Sequence, residues 1–295
     1  MKKIACIVNP VSGLKKSLKV YYEVENEINQ RNFKPILFLS KYAGHVEKII
    51  ESLPNDIDRI LIFGGDGSIN DVLNKLFEID KLEKYKIGIM PTGSGNSVMH
   101  DLGLLKIKDA LDAALGQNFK KADLNNVKFD SFNRLSVSVL GWGMFSYGNI
   151  RAEKLRWLGP IRYDVASIIT LIEKKMHTAR ITIDNVEKKR TCAFIVGCNS
   201  IHTGKGMKVA PKGGFFDGKM DLVLVNENIS RLQIAKVFKK VYDGSHIELP
   251  YVSSIQVKTF CIDPGYKTFY NIDGDIVESQ VASVDILPKA FKLLI

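Results

Sequence analysis

Cysteine is scarce and unpatterned: Cys6, Cys192, Cys198 and Cys261 show no C-x-x-C spacing, which argues against both a zinc framework and a disulfide scaffold. The first three stand in apolar, strand-like runs, and a reducing cytosol is the expected compartment. No apolar run reaches the roughly 18 residues needed to cross a bilayer, so membrane contact is expected to be peripheral. Met1-Lys2-Lys3 is followed by only five apolar residues, 4–8, before Asn9-Pro10, too few for a signal-peptide core. The spacings G-x-x-x-x-G-K-[ST] and G-x-G-x-x-G are missing, as are internal repeats and low-complexity segments.

What is present is an ordinary globular composition with a basic balance. The 42 Lys and Arg against 32 Asp and Glu give a net charge of +10, which favours anionic partners such as nucleotides, acidic membranes or nucleic acid, or serves solubility alone. At 295 residues the chain is near the size at which one core splits, and two domains are expected.

Residues 59–76, RILIFGGDGSINDVLNKL, organise the first half. Residues 60–63 form an apolar run of strand length; Gly64, Gly65 and Gly67 break it; Val72, Leu73 and Leu76 then recur at helical spacing from Asn70. A strand, glycine turn and helix in this order aim backbone N–H groups and the positive helix end at one point, and glycine lets phosphate oxygens approach. Asp66 would repel a phosphate there unless a metal ion or a substrate proton lay between them; a plain tight turn with a solvated carboxylate is the alternative.

Two further loops share this character. Residues 3–8 read as a strand ending in Asn9-Pro10-Val11-Ser12-Gly13, and residues 86–90 as a strand running into Pro91-Thr92-Gly93-Ser94-Gly95-Asn96-Ser97. Ser17 is placed to cap a helix with Leu18, Tyr21, Val24 and Ile28 on one face, and residues 35–39 form a strand with Ser40 at its end. Strands alternating with helices predict a parallel sheet whose ligand site lies at the carboxyl ends of the strands, where these loops converge.

From about residue 123 the period changes from 3.6 to 2: Leu135, Val137 and Val139 alternate with Ser136 and Ser138, and Ile181 and Ile183 flank Thr182. The second half is expected to be mostly β, a sandwich of packed sheets. Within it, residues 153–172 read as a helical segment in which Leu155, Trp157, Leu158 and Ile161 form a lipid-facing or lid surface, with Arg156 and Arg162 meeting head groups, or else a hairpin packed on the sheet. Residues 230–242 read as a packing helix. Asp217-Gly218 and Asp273-Gly274-Asp275 suit a metal contact or a base, and equally a tight turn.

Taken together, Asn9-Pro10-x-Ser12-Gly13, Ser40 with Gly44-His45, Gly64-Gly65-Asp66-Gly67-Ser68-x-Asn70, Gly93-Ser94-Gly95-Asn96, residues 153–159 (EKLRWLG), Asp217-Gly218 and Asp273-Gly274-Asp275 resemble the lipid-kinase superfamily of diacylglycerol, sphingosine and ceramide kinases. The resemblance implies an α/β fold in two domains: a parallel domain like that of NAD kinase over 1–122, a mostly antiparallel β-sandwich domain over 123–287, and a tail, 288–295, returning to the first. It implies ATP and Mg2+ as cofactors, with the nucleotide in a cleft between the domains. Asn9, Pro10, Ser12, Gly13 and Ser40 would bind the nucleotide; Gly64, Gly65, Asp66, Gly67, Ser68 and Asn70 would surround its phosphates; Gly93, Ser94, Gly95 and Asn96 would supply the third loop. Asp66 would hold the catalytic metal, Asp217 with the carbonyls of Gly214 and Lys219 a structural one, and Asp273 or Asp275 would be the base.

Two departures stand out. The family's Asp-Gly-Glu is Asp-Gly-Asp here, one methylene shorter at Asp275, and Tyr147-Gly148-Asn149 replaces acidic residues of sphingosine kinases. The expectation is a cytoplasmic, peripherally membrane-associated kinase acting on a diacylglycerol-like or sphingoid-like lipid, with no nucleic-acid partner and a homodimer compatible. An NAD kinase and a catalytically silent nucleotide or lipid sensor are the alternatives.

Overall fold

A computed structural model describes residues 1–204 and 206–295; the side chains of Leu14, Lys15, Arg156, Pro160, Tyr163, Asp164 and Ser167 lie outside the description. The chain divides into two compact units, one of Met1–Leu124, Gly204–Gly206 and Pro288–Ile295, the other of Asn125–Thr203 and Met207–Leu287.

In the first unit β1 (Lys2–Val8), α1 (Ser12–Gln30), β2 (Phe33–Leu39), α2 (His45–Glu51), β3 (Arg59–Gly64), α3 (Asp66–Glu78), β4 (Lys86–Pro91), α4 (Ser97–Leu102) and α5 (Ile107–Leu115) alternate along the chain. The strands are parallel in the order β2-β1-β3-β4, and Lys292 and Leu293 of the final strand (Ala282–Leu294) extend the sheet beside β4. β1 and β3 are covered on both faces, which is why their sequences are unbroken apolar runs. Register brings Leu39, Val8, Phe63 and Met90 into one row, so the loops after all four strands leave from the same edge. The order reverses between β1 and β3, the switch point at which such sheets bind ligands.

Ser17 does not cap α1. The helix starts at Ser12 directly from the glycine loop, and Ser17 is buried inside it, sharing a 2.8 Å hydrogen bond with the Thr92 hydroxyl.

In the second unit the strands of the main sheet pair antiparallel among the described residues. Asp275–Ser279, Thr268–Ile272, Val139–Gly143, Val186–Cys198, His177–Ile183 and Thr259–Asp263 are neighbours in that order, and Met220–Asn226 joins the far end of Val186–Cys198. Met220, Leu222 and Leu224 enter one core with Trp142, Phe260 and Tyr270; Val223 and Val225 enter another with Phe194, Ile234 and Val237. Burial on both faces explains the continuous run MDLVLV. Ser230 and Gln233 close a capping box that starts the packing helix Arg231–Lys240.

The alternation at residues 135–139 is not one strand. It is split into Asn133–Ser136 and Val139–Gly143, because the amides of Val137, Ser138 and Val139 turn away from the ladder toward Asp273. The segment 153–172 is likewise broken: a helix Met144–Lys154, a 3-10 turn Arg156–Ile161 and a helix Arg162–Glu173, the break falling where Gly159 takes φ 60° and ψ −141°.

Candidate functional site

At the carboxyl edge of the parallel sheet, backbone meets backbone. A methyl group on Gly13 (φ +54°) would fall 1.8 Å from the Thr92 carbonyl oxygen, and one on Gly93 would fall 2.2 Å from Gly65 Cα. One on Gly65 would stand 3.9 Å from Ser12 Oγ. The loops after β1, β3 and β4 therefore touch through glycines at positions no side chain can occupy. Asn9 ties two of them, its amide nitrogen lying 3.4 Å from Ser68 Oγ while its Oδ1 accepts from the Val11 amide. Asn96 closes the third loop on itself: Gly93 N donates to its Oδ1 at 2.9 Å, and its Nδ2 donates back to the Gly93 carbonyl at 3.0 Å.

Asp66 opens α3 and reaches across to α4. Its Oδ1 accepts from the Ser97 amide at 2.8 Å and its Oδ2 from Ser97 Oγ at 3.0 Å, while Ser97 Oγ accepts from the Gly204 amide at 3.1 Å. Burial pushes the Asp66 carboxyl above its ordinary value, and the Ser97 hydrogen bonds oppose that rise. Ser94 is exposed between Gly93, which packs on Gly65, and Gly95, which packs on Asp66. Gly64 leaves room for Ser68, whose Cβ would otherwise be 2.4 Å from a methyl group.

Two residues expected to face a ligand have side chains engaged elsewhere, and a third lies apart. Asn70 is buried and bonded within α3 to Asn74. Asn96 serves the loop, as above. Ser40 sits one strand away from the three packed loops, with its amide bonded to the Val8 carbonyl. Pro10 and Gly67 are in place on their loop and helix, with open space beside Gly67.

In the second unit Asp273 and Gly274 are the two central residues of a hairpin, both at positive φ (50° and 101°), joining Thr268–Ile272 to Asp275–Ser279. The Asp273 carboxylate is enclosed by donors: Ser136 Oγ (3.1 Å), Ser138 N (2.9 Å) and Val139 N (2.7 Å) reach Oδ1, and Val137 N (2.7 Å) reaches Oδ2. Burial nevertheless outweighs these four bonds and raises its pKa to about 6. Asp275 differs in every respect, being exposed and ion-paired to Arg134. An open depression of about 630 Å³ beside it is lined by Ile150, Glu153, Lys154, Phe269, Gly274 and Ile276.

Residues 3–127 match the diacylglycerol kinase catalytic domain, and residues 138–295, more than half the chain, match the YegS C-terminal NAD kinase beta sandwich-like domain. The chain belongs to this lipid kinase family. A diacylglycerol kinase of Mycobacterium tuberculosis is 24% identical, over 99% of this chain and 94% of its own length. Sphingosine kinase 1 of Arabidopsis thaliana is also 24% identical over 90% of this chain, which spans only 64% of that protein. A crystal structure of a diacylglycerol kinase from Bacillus anthracis superposes with a TM-score of 0.80 at 19% identity, covering 99% of this chain and 96% of that one. That likeness establishes the fold.

Within this lipid kinase fold, the Asp217 carboxylate accepts from the Lys219 amide at 3.0 Å and from Gln256 at 3.3 Å, across the left-handed Gly218. Gly214 has open space beside it. Asp221, buried two residues beyond Lys219, has an Oδ2 with no partner and a carboxyl pushed up to about 6 by burial and by the Asp217 charge. An oxygen-only donor set with an orphaned buried carboxylate oxygen fits a hard cation such as Mg2+. No group of three or more His, Cys, Asp or Glu close enough to hold a metal exists among the described residues.

Sequence reasoning missed Ser97, Gly204 and residues 136–139. Ser97 directly follows a glycine loop, which was a usable signal; Gly204 and residues 136–139 are distant in the chain from what they bind, and no local pattern marks them.

Proposed function

We propose that this chain is an ATP-dependent lipid kinase that transfers the γ-phosphoryl group to a hydroxyl of a diacylglycerol-like or sphingoid-like lipid, with Mg2+. The observation that carries the reading is the meeting of three glycine loops at the switch point of a parallel sheet, where backbone amides would stand in for a P-loop lysine. A loose phosphoryl-transfer transition state needs positioning and charge neutralisation more than covalent help. Ser12, Gly13, Gly64, Gly65, Gly67, Ser68, Gly93, Ser94 and Gly95 would surround the phosphates, and Asn9 and Asn96 would hold the loops in shape. Mg2+ would supply charge neutralisation at the phosphates beside Asp66, and a second Mg2+ would fit the oxygens of Gly214, Asp217 and Lys219.

Asp273 is the better base. Four donors hold its carboxylate rigidly, yet Oδ2 carries only one of them and keeps a lone pair for the lipid hydroxyl proton. A pKa of about 6 leaves it ionised at neutral pH and more basic than an ordinary carboxylate. Asp275, tied to Arg134 at the surface, would serve the rim of the acceptor site. The lipid would be met at a membrane surface, by a protein none of whose described helices is long and apolar enough to cross one.

Incubation with labelled ATP, Mg2+ and a mixed lipid extract, read by mass spectrometry, tests the assignment. A phosphorylated lipid is the expected product. A phosphorylated dinucleotide would favour the NAD kinase reading, and no product a silent sensor. Asp66→Asn is expected to abolish Mg2+-dependent turnover while the circular dichroism spectrum stays unchanged; an active variant would remove Asp66 from the mechanism.

A further inference from the structure

The helix Arg162–Glu173 carries an exposed apolar face as well as a buried one. Ala166 and Thr170 face inward and are buried, whereas Ile161, Val165, Ile168 and Ile172 follow one another at i, i+4, i+7 and i+11 along the outer face. Ile161, Ile168 and Ile172 are 56%, 57% and 61% exposed. Trp157, in the turn before the helix, is 80% exposed, and Leu232, at the start of Arg231–Lys240, is 84% exposed. The two helices pack together, and Arg231 Nε donates to the Ile172 carbonyl at 2.8 Å, so Leu232 continues the same apolar strip.

Cations rim this strip. Lys174 and Lys175 follow the helix directly, Arg231 precedes Leu232, and the exposed Lys236 and Lys239 share the outer face with Leu232 at i+4 and i+7. Among the described residues two nearby acids are paired: Glu173 with Arg151, and Glu153, 3.4 Å from Arg162. The side chain of Arg156, expected from sequence to meet head groups, lies outside the described residues. An apolar stripe of isoleucines and a tryptophan, bordered by lysines, is the surface of an element that lies in the plane of an anionic bilayer, with rings and aliphatic chains in the acyl boundary and ammonium groups at the phosphates.

We infer that this face, from Trp157 through Ile161, Ile168 and Ile172 to Leu232 with its Lys174, Lys175, Lys236 and Lys239 rim, is the docking surface that seats the protein on an anionic lipid bilayer. The inference deepens the lipid-kinase reading, but its test does not depend on catalysis. The full chain is sedimented with phosphatidylcholine vesicles with or without phosphatidylglycerol. Binding is expected with phosphatidylglycerol only, and to weaken as salt rises. Ile168→Ser, Ile172→Ser and Leu232→Ser combined are expected to weaken binding at least about tenfold. Lys236→Gln and Lys239→Gln are each expected to weaken it about fivefold.

Trp142 is fully buried, so the emission blue shift expected on vesicle binding belongs to Trp157 and should vanish in Trp157→Phe. Turnover of a short-chain diacylglycerol dissolved as monomers should be unchanged in the serine variant. Should wild type bind neither vesicle, or the serine variant bind as well as wild type, the docking surface is wrong. Conversion of a dimer to a monomer by the serine variant in light scattering, with vesicle binding intact, would assign the face to a second copy instead. Vesicle binding without any turnover by wild type would leave the surface standing and sink the kinase reading.

Discussion

Asp273 concentrates several requirements in one carboxylate. Its backbone is left-handed, a conformation non-glycine residues adopt sparingly, and four donors from residues 136–139 over-determine it. If it takes the hydroxyl proton, it must be ionised, so kcat/KM is expected to rise about tenfold per pH unit up to about 6 and level off above. Asp273→Asn should lower kcat by about 10² to 10⁴-fold, and Asp275→Asn by much less; equal losses would move the base to Asp275. The same carboxyl acts on stability with a definite sign. Its folded pKa of about 6 lies above the ordinary value of 3.8, so between these pH values the folded chain holds a proton that the unfolded chain has released. Stability from this group is present below about pH 4 and lost as pH rises through 6, and Asp273→Asn should flatten that slope in urea titrations.

Loops and helices divide by how local their signals are. The glycine turns after β1, β3 and β4 were legible because each breaks an apolar strand run just before a helical period, and the parallel order followed from alternation. What could not be read was which groups face the ligand and which hold the loop. Asn9, Asn70 and Asn96 carry the same amide, and only the fold shows them turned to Ser68, Asn74 and Gly93. The strand break at residues 137–138 was hidden for a related reason, since its cause lies in a hairpin more than 130 residues away. Trp157 and Ile161 were legible as one alternative, a lipid-facing surface, but Ile168 and Ile172 were not, because apolar residues at helical spacing ordinarily face a core. Gly67→Ala separates the two kinds of role. It sits inside α3 with open space beside it, so alanine should raise stability by up to about 1 kcal/mol in thermal or urea unfolding. If phosphates rest against it, calorimetry should show ATP binding weakened in the same variant; unchanged affinity would remove Gly67 from the phosphate site. Gly93→Ala, with its methyl 2.2 Å from Gly65 Cα, should instead cost both stability and affinity.

At the level of the whole molecule, the family resemblance drawn from scattered motifs and the two-part, parallel-then-antiparallel architecture agree with the matched domains and with the solved fold. The final strand serves both units: residues 282–285 pair with Thr259–Asp263, and Lys292 and Leu293 pair with β4. Phe291, Leu293 and Leu294 are 1–2% exposed, and burying each contributes about 1.5 to 3 kcal/mol. Removing residues 290–295 should therefore cost about 5 to 9 kcal/mol, a large part of the about 5 to 15 kcal/mol that a domain holds in reserve. The first unit would be expected to lose its cooperative melting transition, and retention of that transition would show the tail to be dispensable.

That shared strand has a bearing on biosynthesis. A nascent chain on the ribosome carries β1 to β4 long before residues 288–295 are made, so the parallel sheet stays one strand short, with the flank of β4 unpaired, until that segment emerges. Nucleotide capture by the emerging amino-terminal half is thus disfavoured, and a stalled or prematurely terminated product offers an open ribbon edge that chaperones or proteases would recognise before any phosphoryl transfer could begin.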